Sequence, residues 1–455
     1  MIRAFSLSET ARRLGATPTG ADGTFSSVST DTRSLQPGDL FVALRGENFD
    51  GHRFLADAAA GGAVAAVVER ANSDIDLPQL VVADTTRALA DIALANRLES
   101  RARVVAVTGS SGKTTVKEML SAMLAVQGST LATQGNLNNH IGAPLTLFRL
   151  APEHEYAVIE LGASAVGEIA HTVAMTRPEV SIITNAGEAH LEGFGSYQNI
   201  VIGKGEIIDG VSARGTVVLN ADDPACETWR GRAGQRQVMT VSRRTGVDAD
   251  YRIEHHSVDA QGQHFGVAGL AGWQAEVTLP LPGEHNLTNA LLAIAAVRAF
   301  GLPDDAIRRG LASLKPVKGR LQPITLAEGI DLIDDSYNAN PTSMKAALSV
   351  LAQRPGRRIA VLGTMAELGP DSVRMHEEVG AWAHNLGIER CLVVGPGTDG
   401  YRKGFGHNTE VCVSHSEAVD QLINQLEAPV TVLVKGSRSS AMDRVVEGIK
   451  ERMKR

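Results

Sequence analysis

Residues 104–115 read VVAVTGSSGKTT, and this stretch decides the fold class. An apolar run typical of a buried strand leads into a glycine-rich turn, and a helical pattern, KEMLSAMLA (117–125), follows. Glycines let a backbone approach a ligand closely, and the free N–H groups of a helix N-terminus attract anions. A lysine adds positive charge and a threonine adds a hydroxyl for a cation, so the pattern predicts a phosphate-binding loop for ATP.

This loop is shorter than the usual G-x-x-x-x-G-K-[ST] pattern, because Val107 stands where the first glycine is expected. The alternative is an ordinary glycine-rich turn with a surface lysine, which the order of strand, turn and helix disfavours. We therefore expect the nucleotide to bind Gly109, Ser110, Ser111, Gly112, Lys113, Thr114 and Thr115.

Composition describes a globular chain of several domains. The 455 residues include 43% hydrophobic and 21% charged residues, with a net charge of −7 and no basic block, which disfavours nucleic acid as a partner. The three cysteines lack C-x-x-C spacing and are expected to be core thiols in a reducing compartment. No signal-peptide pattern or bilayer-length apolar run is present, so we expect a cytoplasmic protein without membrane insertion.

Strand and helix patterns alternate along the chain and predict an α/β protein of three domains, 1–100, 101–314 and 315–455. The first is a small α/β unit with short strands. The second is a P-loop ATPase unit with a mainly parallel sheet, plus a small antiparallel sheet in residues 247–283. The third repeats a βαβ layout and is expected to be Rossmann-like.

A second glycine-rich segment, GPGTDG (395–400), follows a strand and matches the dinucleotide pattern G-x-G-x-x-G. It contains a proline, the residues GYRKGFGHN (400–408) predict a poor helix, and no acidic residue ends a following strand. We interpret it as an ordinary turn.

Metal ligands for phosphoryl transfer are expected where parallel strands end, near the phosphate. Glu160 closes the strand in AVIELGAS, and His190 follows the strand in IITNAGEAHLEGFG. Asn185 and Glu188 lie in the same loop and are alternatives, and a surface histidine is an equal alternative for His190 alone. Spacing alone gives Lys204, in IGKGEIIDG, no role beyond that of a solvated lysine.

Six motifs follow one another in the middle of the chain: G-x-x-G-K-T-T, ELGAS, TNAGEAHLE, KGE, NADDP and GEHNLTNALLA. In this order they resemble the Mur ligase family, the ATP-dependent amide-forming enzymes of peptidoglycan precursor synthesis, over essentially the whole chain. The resemblance implies two Mg2+ ions, the first on Thr114 and Glu160. It implies that His190 and Lys204, the latter as its carbamate, hold the second ion.

The resemblance also implies roles for other residues. Lys113, His190, Lys204 and Arg320 are expected to be catalytic, with Asn286 and Asn289 on adenine, Arg320 on the phosphates and Asp335 on the ribose. The segment 28–54 resembles a UDP-binding N-terminal domain, with Ser29, Asp31, Thr32 and Arg33 in the uridine diphosphate segment. Arg45, Asn136, Asn138 and Asn139 are expected in the muramoyl-peptide groove, and Tyr337, Asn338 and Asn340 at the junction with the third domain.

Within the family, the segments 133–147 and 334–348 resemble the member that adds D-alanyl-D-alanine. The implied substrates are ATP, UDP-N-acetylmuramoyl-tripeptide and D-alanyl-D-alanine, and we expect a monomer. Thr364 stands where the family usually shows an aspartate, which leaves the contribution of that position open, and we assign no role to Glu367.

Two other functions are compatible with the phosphate loop. A folylpolyglutamate synthetase-like ligase is disfavoured by the UDP-binding segment 28–54. A P-loop ATPase or switch, which would hydrolyse ATP to move a partner and would synthesise no amide, is disfavoured by the ordered set of Glu160, His190 and Lys204.

Overall fold

The protein, seen in a computed structural model that describes residues 1–46 and 48–454, contains three larger sheets, each flanked by helices. The first belongs to the N-terminal unit and has the strand order β2-β9-β8-β5-β4. The strands of this unit are β1 (Phe5–Ser6), β2 (Thr17–Thr19), β3 (Thr24–Phe25), β4 (Val28–Ser29), β5 (Leu40–Val42), β6 (Arg45–Gly46), β7 (Phe49–Asp50), β8 (Ala65–Val68) and β9 (Gln79–Val81), and its helices are α1 (Leu7–Leu14), α2 (Leu55–Ala60) and α3 (Thr85–Glu99).

Helix α3 joins this unit to the next one. It begins where the Asp84 carboxylate accepts hydrogen bonds from the Thr86 and Arg87 amides, an N-cap that satisfies two free donors. Its buried residues share one hydrophobic cluster with the N-terminal sheet and with helices of the central unit. The N-terminal and central units are therefore packed through a continuous apolar core.

The central unit contains a nine-stranded sheet with the order β11-β12-β10-β13-β14-β15-β16-β17-β18. Its strands are β10 (Arg103–Thr108), β11 (Thr130–Ala132), β12 (Tyr156–Glu160), β13 (Val180–Ile183), β14 (Thr216–Asn220), β15 (Gln237–Ser242), β16 (Tyr251–Asp259), β17 (Gly262–Ala268) and β18 (Gln274–Leu279). Its helices are α4 (Lys113–Ala125), α5 (Gly142–Phe148), α6 (Glu168–Thr176), α7 (Leu191–Phe194), α8 (Tyr197–Gly205), α9 (Cys226–Ala233), α10 (His285–Ala299) and α11 (Asp304–Ala312).

The seven strands β10 to β16 pair in parallel, so their carboxyl ends lie at one edge of the sheet. The antiparallel strands β17 and β18 continue the same sheet beyond β16. The predicted antiparallel part is thus an extension of the parallel sheet, because β16 is long enough to pair with a strand on each side.

The third unit has a six-stranded sheet with the order β19-β20-β24-β21-β22-β23. Its strands are β19 (Gln322–Ala327), β20 (Ile330–Asp335), β21 (Arg357–Gly363), β22 (Arg390–Val394), β23 (Thr409–Cys412) and β24 (Val430–Lys435), and its helices are α12 (Pro341–Ala352), α13 (Ser372–Asn385), α14 (Asp399–Phe405), α15 (His415–Ile423) and α16 (Asp443–Met453). Its hydrophobic residues form two clusters of their own, one on each side of the sheet. The described part of the chain has no helix that is both long and apolar enough to cross a membrane.

The prediction of a poor helix after GPGTDG was wrong, because α14 begins at Asp399. Gly400 and Gly404 lower helix propensity, but they also let α14 approach α13 closely. A Cβ at Gly400 would lie 2.6 Å from the Cβ of His376 on α13, a separation that no side chain tolerates. Tertiary packing therefore stabilises a helix that local propensity disfavours.

Candidate active site

A cavity of about 560 Å³ lies at the carboxyl edge of the central sheet, between the central and third units. Its walls contain most of the residues that the sequence singled out: Ser110, Ser111, Gly112, Lys113, Thr114, Thr115, Asn136, Asn138, Asn139, Glu160, His190, Asn286, Asn289, Arg320, Asp335, Tyr337, Asn338 and Asn340. Residues up to 230 positions apart meet directly here, as in the hydrogen bond that the Asn340 side-chain amide donates to the Ser110 carbonyl.

The phosphate loop is held in shape by its neighbours. The Lys113 Nζ donates to the Gly109 carbonyl at 2.7 Å, and the Ser111 amide donates to the Asn185 Oδ1 at 3.1 Å. Gly112 has φ +81°, and a Cβ there would lie 2.6 Å from the Asn289 Oδ1. Asn185 therefore braces the loop, and the close contact with Asn289 requires the glycine.

Glu160 and Thr114 place two buried oxygen-bearing side chains, a carboxylate and a hydroxyl, beside this loop. The Thr114 hydroxyl donates to one Glu160 oxygen at 2.9 Å, and the Asn138 amide donates to the other at 2.8 Å. The Arg320 guanidinium donates to the Thr114 hydroxyl at 2.9 Å. A carboxylate and a hydroxyl are the hard ligands that Mg2+ prefers, so this pair fits a magnesium ion.

His190 lies on the loop after β13, with φ +57°, and lines the cavity. Its imidazole contacts the Glu367 carboxylate of the third unit. Burial lowers the pKa of His190, and the charges of Lys113 and Lys204 lower it further, while Glu367 opposes the shift. A neutral imidazole is the form that binds metal ions.

Lys204 is fully buried on α8, behind the cavity wall rather than in it. Its Nζ donates to the Ala163 carbonyl at 3.1 Å and lies 5.0 Å from the centre of the Phe194 ring. Burial holds the pKa of Lys204 well below its usual value, and Lys113 adds to this effect, against the opposing charges of Glu168 and Glu206. Burial therefore favours the neutral, nucleophilic amine more than in a solvated lysine.

Metal binding at His190 and Lys204 requires more than the side chains themselves. Among the residues that the structure describes, no group of three or more His, Cys, Asp and Glu side chains could hold a metal ion. A neutral amine is a poor ligand for Mg2+, whereas its CO2 adduct is an oxygen anion. The buried lysine thus fits such an ion only as its carbamate.

The predicted nucleotide residues form two groups. The Asn289 amide donates to the Asn286 Oδ1 at 3.0 Å at the start of α10. On the opposite wall, Asp335 accepts from the Leu321 amide at 3.0 Å and pairs with Lys435 at 2.6 Å. Sequence reasoning missed Lys435, although its place at the end of β24 follows the same rule that identified Glu160.

Two guanidinium groups lie over the ring of Tyr337. The Cζ atoms of Arg320 and Arg438 are 4.3 Å and 5.5 Å from the centre of this ring. Arg438 also donates to the Tyr337 hydroxyl at 3.2 Å and lines the cavity. The sequence analysis did not identify Arg438 either, although a basic residue just after the end of a strand could have indicated it.

Asn340 accepts a hydrogen bond from the Ser343 amide at 2.9 Å and so caps α12.

The residues predicted for the uridine diphosphate lie outside this cavity, in the N-terminal unit. Arg33 pairs with Asp31 at 2.6 Å and holds the pKa of that carboxyl at about 2. The predicted residues outside the cavity walls are Ser29, Asp31, Thr32, Arg33 and Arg45 of this unit, together with Gly109 and Lys204 of the central unit. Glu188 is also absent from these walls, and the side chain of Asn139 accepts a hydrogen bond from the Gly142 amide at the start of α5.

Thr364 and Glu367, left without roles, lie on the loop after β21. The Thr364 hydroxyl donates to the Pro396 carbonyl at 2.6 Å, and its carbonyl accepts from the Ser437 amide at 3.0 Å. The Glu367 carbonyl accepts from the Glu192 amide at 3.1 Å, next to the contact of its carboxylate with His190. This loop is therefore one place where the third unit touches the central one.

Three family profiles match the chain in order. The profile of the Mur ligase family catalytic domain matches residues 24–103, that of the Mur ligase middle domain matches 107–297, and that of the Mur ligase glutamate ligase domain matches 319–438.

Similar proteins carry more specific names. The UDP-N-acetylmuramoyl-tripeptide–D-alanyl-D-alanine ligase of Escherichia coli K12 is 48% identical over 434 residues, which is 95% of each chain. A crystal structure of MurF from Acinetobacter baumannii superposes with a TM-score of 0.93 at 35% identity, over 99% of each chain. MurF from Thermotoga maritima, in complex with ADP, gives a TM-score of 0.86 at 28% identity and covers 94% of this chain and 98% of that one.

Proposed function

The chain belongs to the Mur ligase family, and on that premise we propose how its cavity joins a carboxylate to an amine with ATP. It is the ligase that adds D-alanyl-D-alanine to UDP-N-acetylmuramoyl-tripeptide and yields the pentapeptide, ADP and phosphate for peptidoglycan precursor synthesis. One observation supports the site best: the phosphate loop, Glu160 and the third-unit residues Arg320 and Asp335 line a single cavity.

ATP binds with its phosphates on the loop 109–115. Lys113 exchanges its bond to the Gly109 carbonyl for phosphate oxygens, and Arg320 reaches the same place from the third unit. Asn286 and Asn289 hold the adenine, and Asp335 holds the ribose. Lys435 orients Asp335 by a direct ion pair at 2.6 Å.

Thr114 and Glu160 would hold one Mg2+, and His190 together with Lys204, as its carbamate, would hold a second. When bound, these ions neutralise the charge that builds up on the phosphate oxygens. In its neutral form the Lys204 amine would attack CO2: the N–C bond forms, one C=O π bond becomes C–O−, and the nitrogen releases one proton to water. Lys204 lies in an apolar place, against Phe194, where the ammonium form is disfavoured.

The reaction proceeds in two displacements. The terminal carboxylate of the tripeptide attacks the γ-phosphorus, the bond to ADP breaks, and an acyl phosphate forms. The amine of D-alanyl-D-alanine then attacks the acyl carbon, and phosphate leaves while the amine loses a proton. Lys113 and Arg320 counter the spread charge in the first step.

The substrates occupy three units in this proposal. Residues 1–100, with Ser29, Asp31, Thr32 and Arg33, bind the uridine diphosphate, and Arg45, Asn136, Asn138 and Asn139 follow the muramoyl peptide. Residues 101–314 bind ATP. Residues 315–455 close over the site and present the dipeptide near Tyr337, Asn338 and Asn340. We place this reaction in the cytoplasm and expect a monomer.

The test is phosphate release from ATP by the whole chain, with each substrate added alone and together. The assay is run with two forms of UDP-N-acetylmuramoyl-tripeptide, one with lysine and one with diaminopimelate as the third peptide residue. The product is identified by its mass. We expect release only with both substrates, and formation of the pentapeptide. Release without either substrate would favour a P-loop ATPase, and no release with any tripeptide would contradict the ligase.

A further inference from the structure

The loop 363–369 is one of the segments through which the third unit contacts the central one. Its Glu367 contacts His190 through the carboxylate and Glu192 through the carbonyl, while Met365 and Leu368 are buried in the third unit. Glu367 has φ +60°, an unfavourable backbone for a residue with a side chain. Such a conformation persists only where neighbouring groups hold it.

His376 lies on α13, contacts this loop and has no exposed surface. Its Nε2 lies 3.0 Å from the Met365 nitrogen, and its Nδ1 lies 2.7 Å from the Ser372 carbonyl oxygen. The carbonyl can only accept, and the amide can only donate, so Nδ1 bears the proton and Nε2 accepts. Burial lowers the pKa of His376, which agrees with this neutral form.

The helix pair α13–α14 fixes the position of His376. The Tyr401 hydroxyl on α14 donates to the Gly363 carbonyl at 3.1 Å, and its ring packs edge-on against the imidazole at 4.7 Å. Gly400 lies where a Cβ would meet the Cβ of His376 at 2.6 Å. The last glycine of GPGTDG thus permits close helix packing, and both His376 and Tyr401 reach the root of the loop.

We propose that His376 is a positioning residue for the ligase reaction: it holds the Met365 amide and thereby places Glu367 against the His190 loop. This inference rests on the proposed function. The part of His376 that matters is the Nε2 acceptor, because the Nδ1 proton is bonded within its own helix.

Two variants separate the two nitrogens. In His376→Gln the side-chain oxygen reaches the place of Nε2 and still accepts from Met365. In His376→Asn the amide reaches only the place of Nδ1, so the Met365 amide loses its acceptor. Each variant keeps one of two buried hydrogen bonds, so a role in stability alone predicts similar losses for both.

We expect kcat/KM for D-alanyl-D-alanine to fall about tenfold in His376→Asn, the effect of one lost buried hydrogen bond, and by less than about threefold in His376→Gln. The KM for ATP stays unchanged in both, since the loop contains none of the residues assigned to the nucleotide. Hydrogen exchange of the Met365 amide, measured without substrates, is fast in His376→Asn and slow in His376→Gln and the wild type.

Equal kinetics in the two variants, or losses that follow Tm rather than the exchange of Met365, would overturn the proposal. If His376→Asn does not fold, Tyr401→Phe tests the same loop through Gly363, and an unchanged kcat/KM for the dipeptide would also overturn it. Failure of the wild type to form pentapeptide would instead count against the proposed function, which separates the two ideas.

Discussion

The phosphate loop and helix α8 each carry one lysine of the proposed site, in contrasting environments. Lys113 is partly buried, lines the cavity, donates to a loop carbonyl and is attracted by the Glu160 carboxylate. Lys204 is fully buried against Phe194, outside the cavity walls. Burial lowers the pKa of both lysines, but that of Lys204 falls much further.

This difference shows that surroundings, and not the residue type, set the chemistry of a lysine. Near Glu160, and with phosphate oxygens in the loop, Lys113 is favoured as a cation. Lys204 lacks a carboxylate within hydrogen-bonding distance among the described residues, and burial lowers its pKa well below the usual value, which favours the neutral amine. The two lysines should therefore respond differently to the same substitutions.

The largest effect is expected for Lys113→Ala, which removes the positive charge from the phosphates. We predict that kcat falls about a thousandfold, the magnitude typical of losing a preorganised charge at the transition state, with Tm little changed. The measurement is steady-state pentapeptide formation. A rate near that of the wild type would remove Lys113 from the site.

The next effect is the loss in Lys204→Ala, about a hundredfold or more in kcat, because a metal-ligand oxygen disappears. Acetate or formate should restore part of this activity by supplying a carboxylate in place of the carbamate. Lys113→Ala is the matched control and should not respond to either acid. Equal responses of the two variants would contradict the comparison.

A third effect concerns stability and pH. The unfolded chain binds a proton at Lys204 below about pH 10.4, whereas the folded chain does not until a much lower pH, so this lysine destabilises the fold as pH falls. Lys204→Met removes the cost, and its Tm should exceed that of the wild type at pH 7, with the gap closing as pH approaches 10.

The measurement is thermal unfolding from pH 6 to pH 10 in CO2-free buffer. For one such group the slope reaches about 1.4 kcal/mol per pH unit. Bicarbonate should raise the Tm of the wild type and leave that of Lys204→Met unchanged, because only the wild type forms the carbamate. A gap independent of pH would show that Lys204 is charged in the folded protein.

The smallest effect is expected at Lys117, a buried lysine on the helix of Lys113. Lys117 pairs with Glu118 at 2.6 Å and donates to the Thr133 carbonyl at 3.0 Å. We predict that Lys117→Met keeps kcat within about threefold and lowers stability by about 1 kcal/mol, the worth of one hydrogen bond. A loss as large as that of Lys113→Ala would mean that burial of a lysine on α4, and not its place in the loop, matters.

Several parts of the fold were predictable because the signal is local. Runs such as VVAVT and TVVLN are apolar and β-branched enough to form buried strands, β10 and β14. The short strands β11 (TLA) and β23 (TEVC) were missed, because three or four residues at a sheet edge show no periodicity. Helix α14 was mispredicted, since its glycines are favourable only against α13.

In the site, the strand-end rule located Glu160 and His190 next to the phosphate loop, but it did not reveal their partners. The contacts of Glu367 with His190 and of Lys435 with Asp335 join residues 177 and 100 positions apart. No spacing pattern over such distances distinguishes a partner from any other charged residue on the surface.

By itself, the sequence determined the α/β alternation, the phosphate loop and the order of motifs, because strands, turns and helix starts depend on neighbouring residues. Only the tertiary structure decided that Lys204 is buried, that Asn185 braces the loop, and that His376 supports the loop of Glu367. These properties depend on which groups exclude water and which donors find acceptors, and both are set by segments that are distant in the chain.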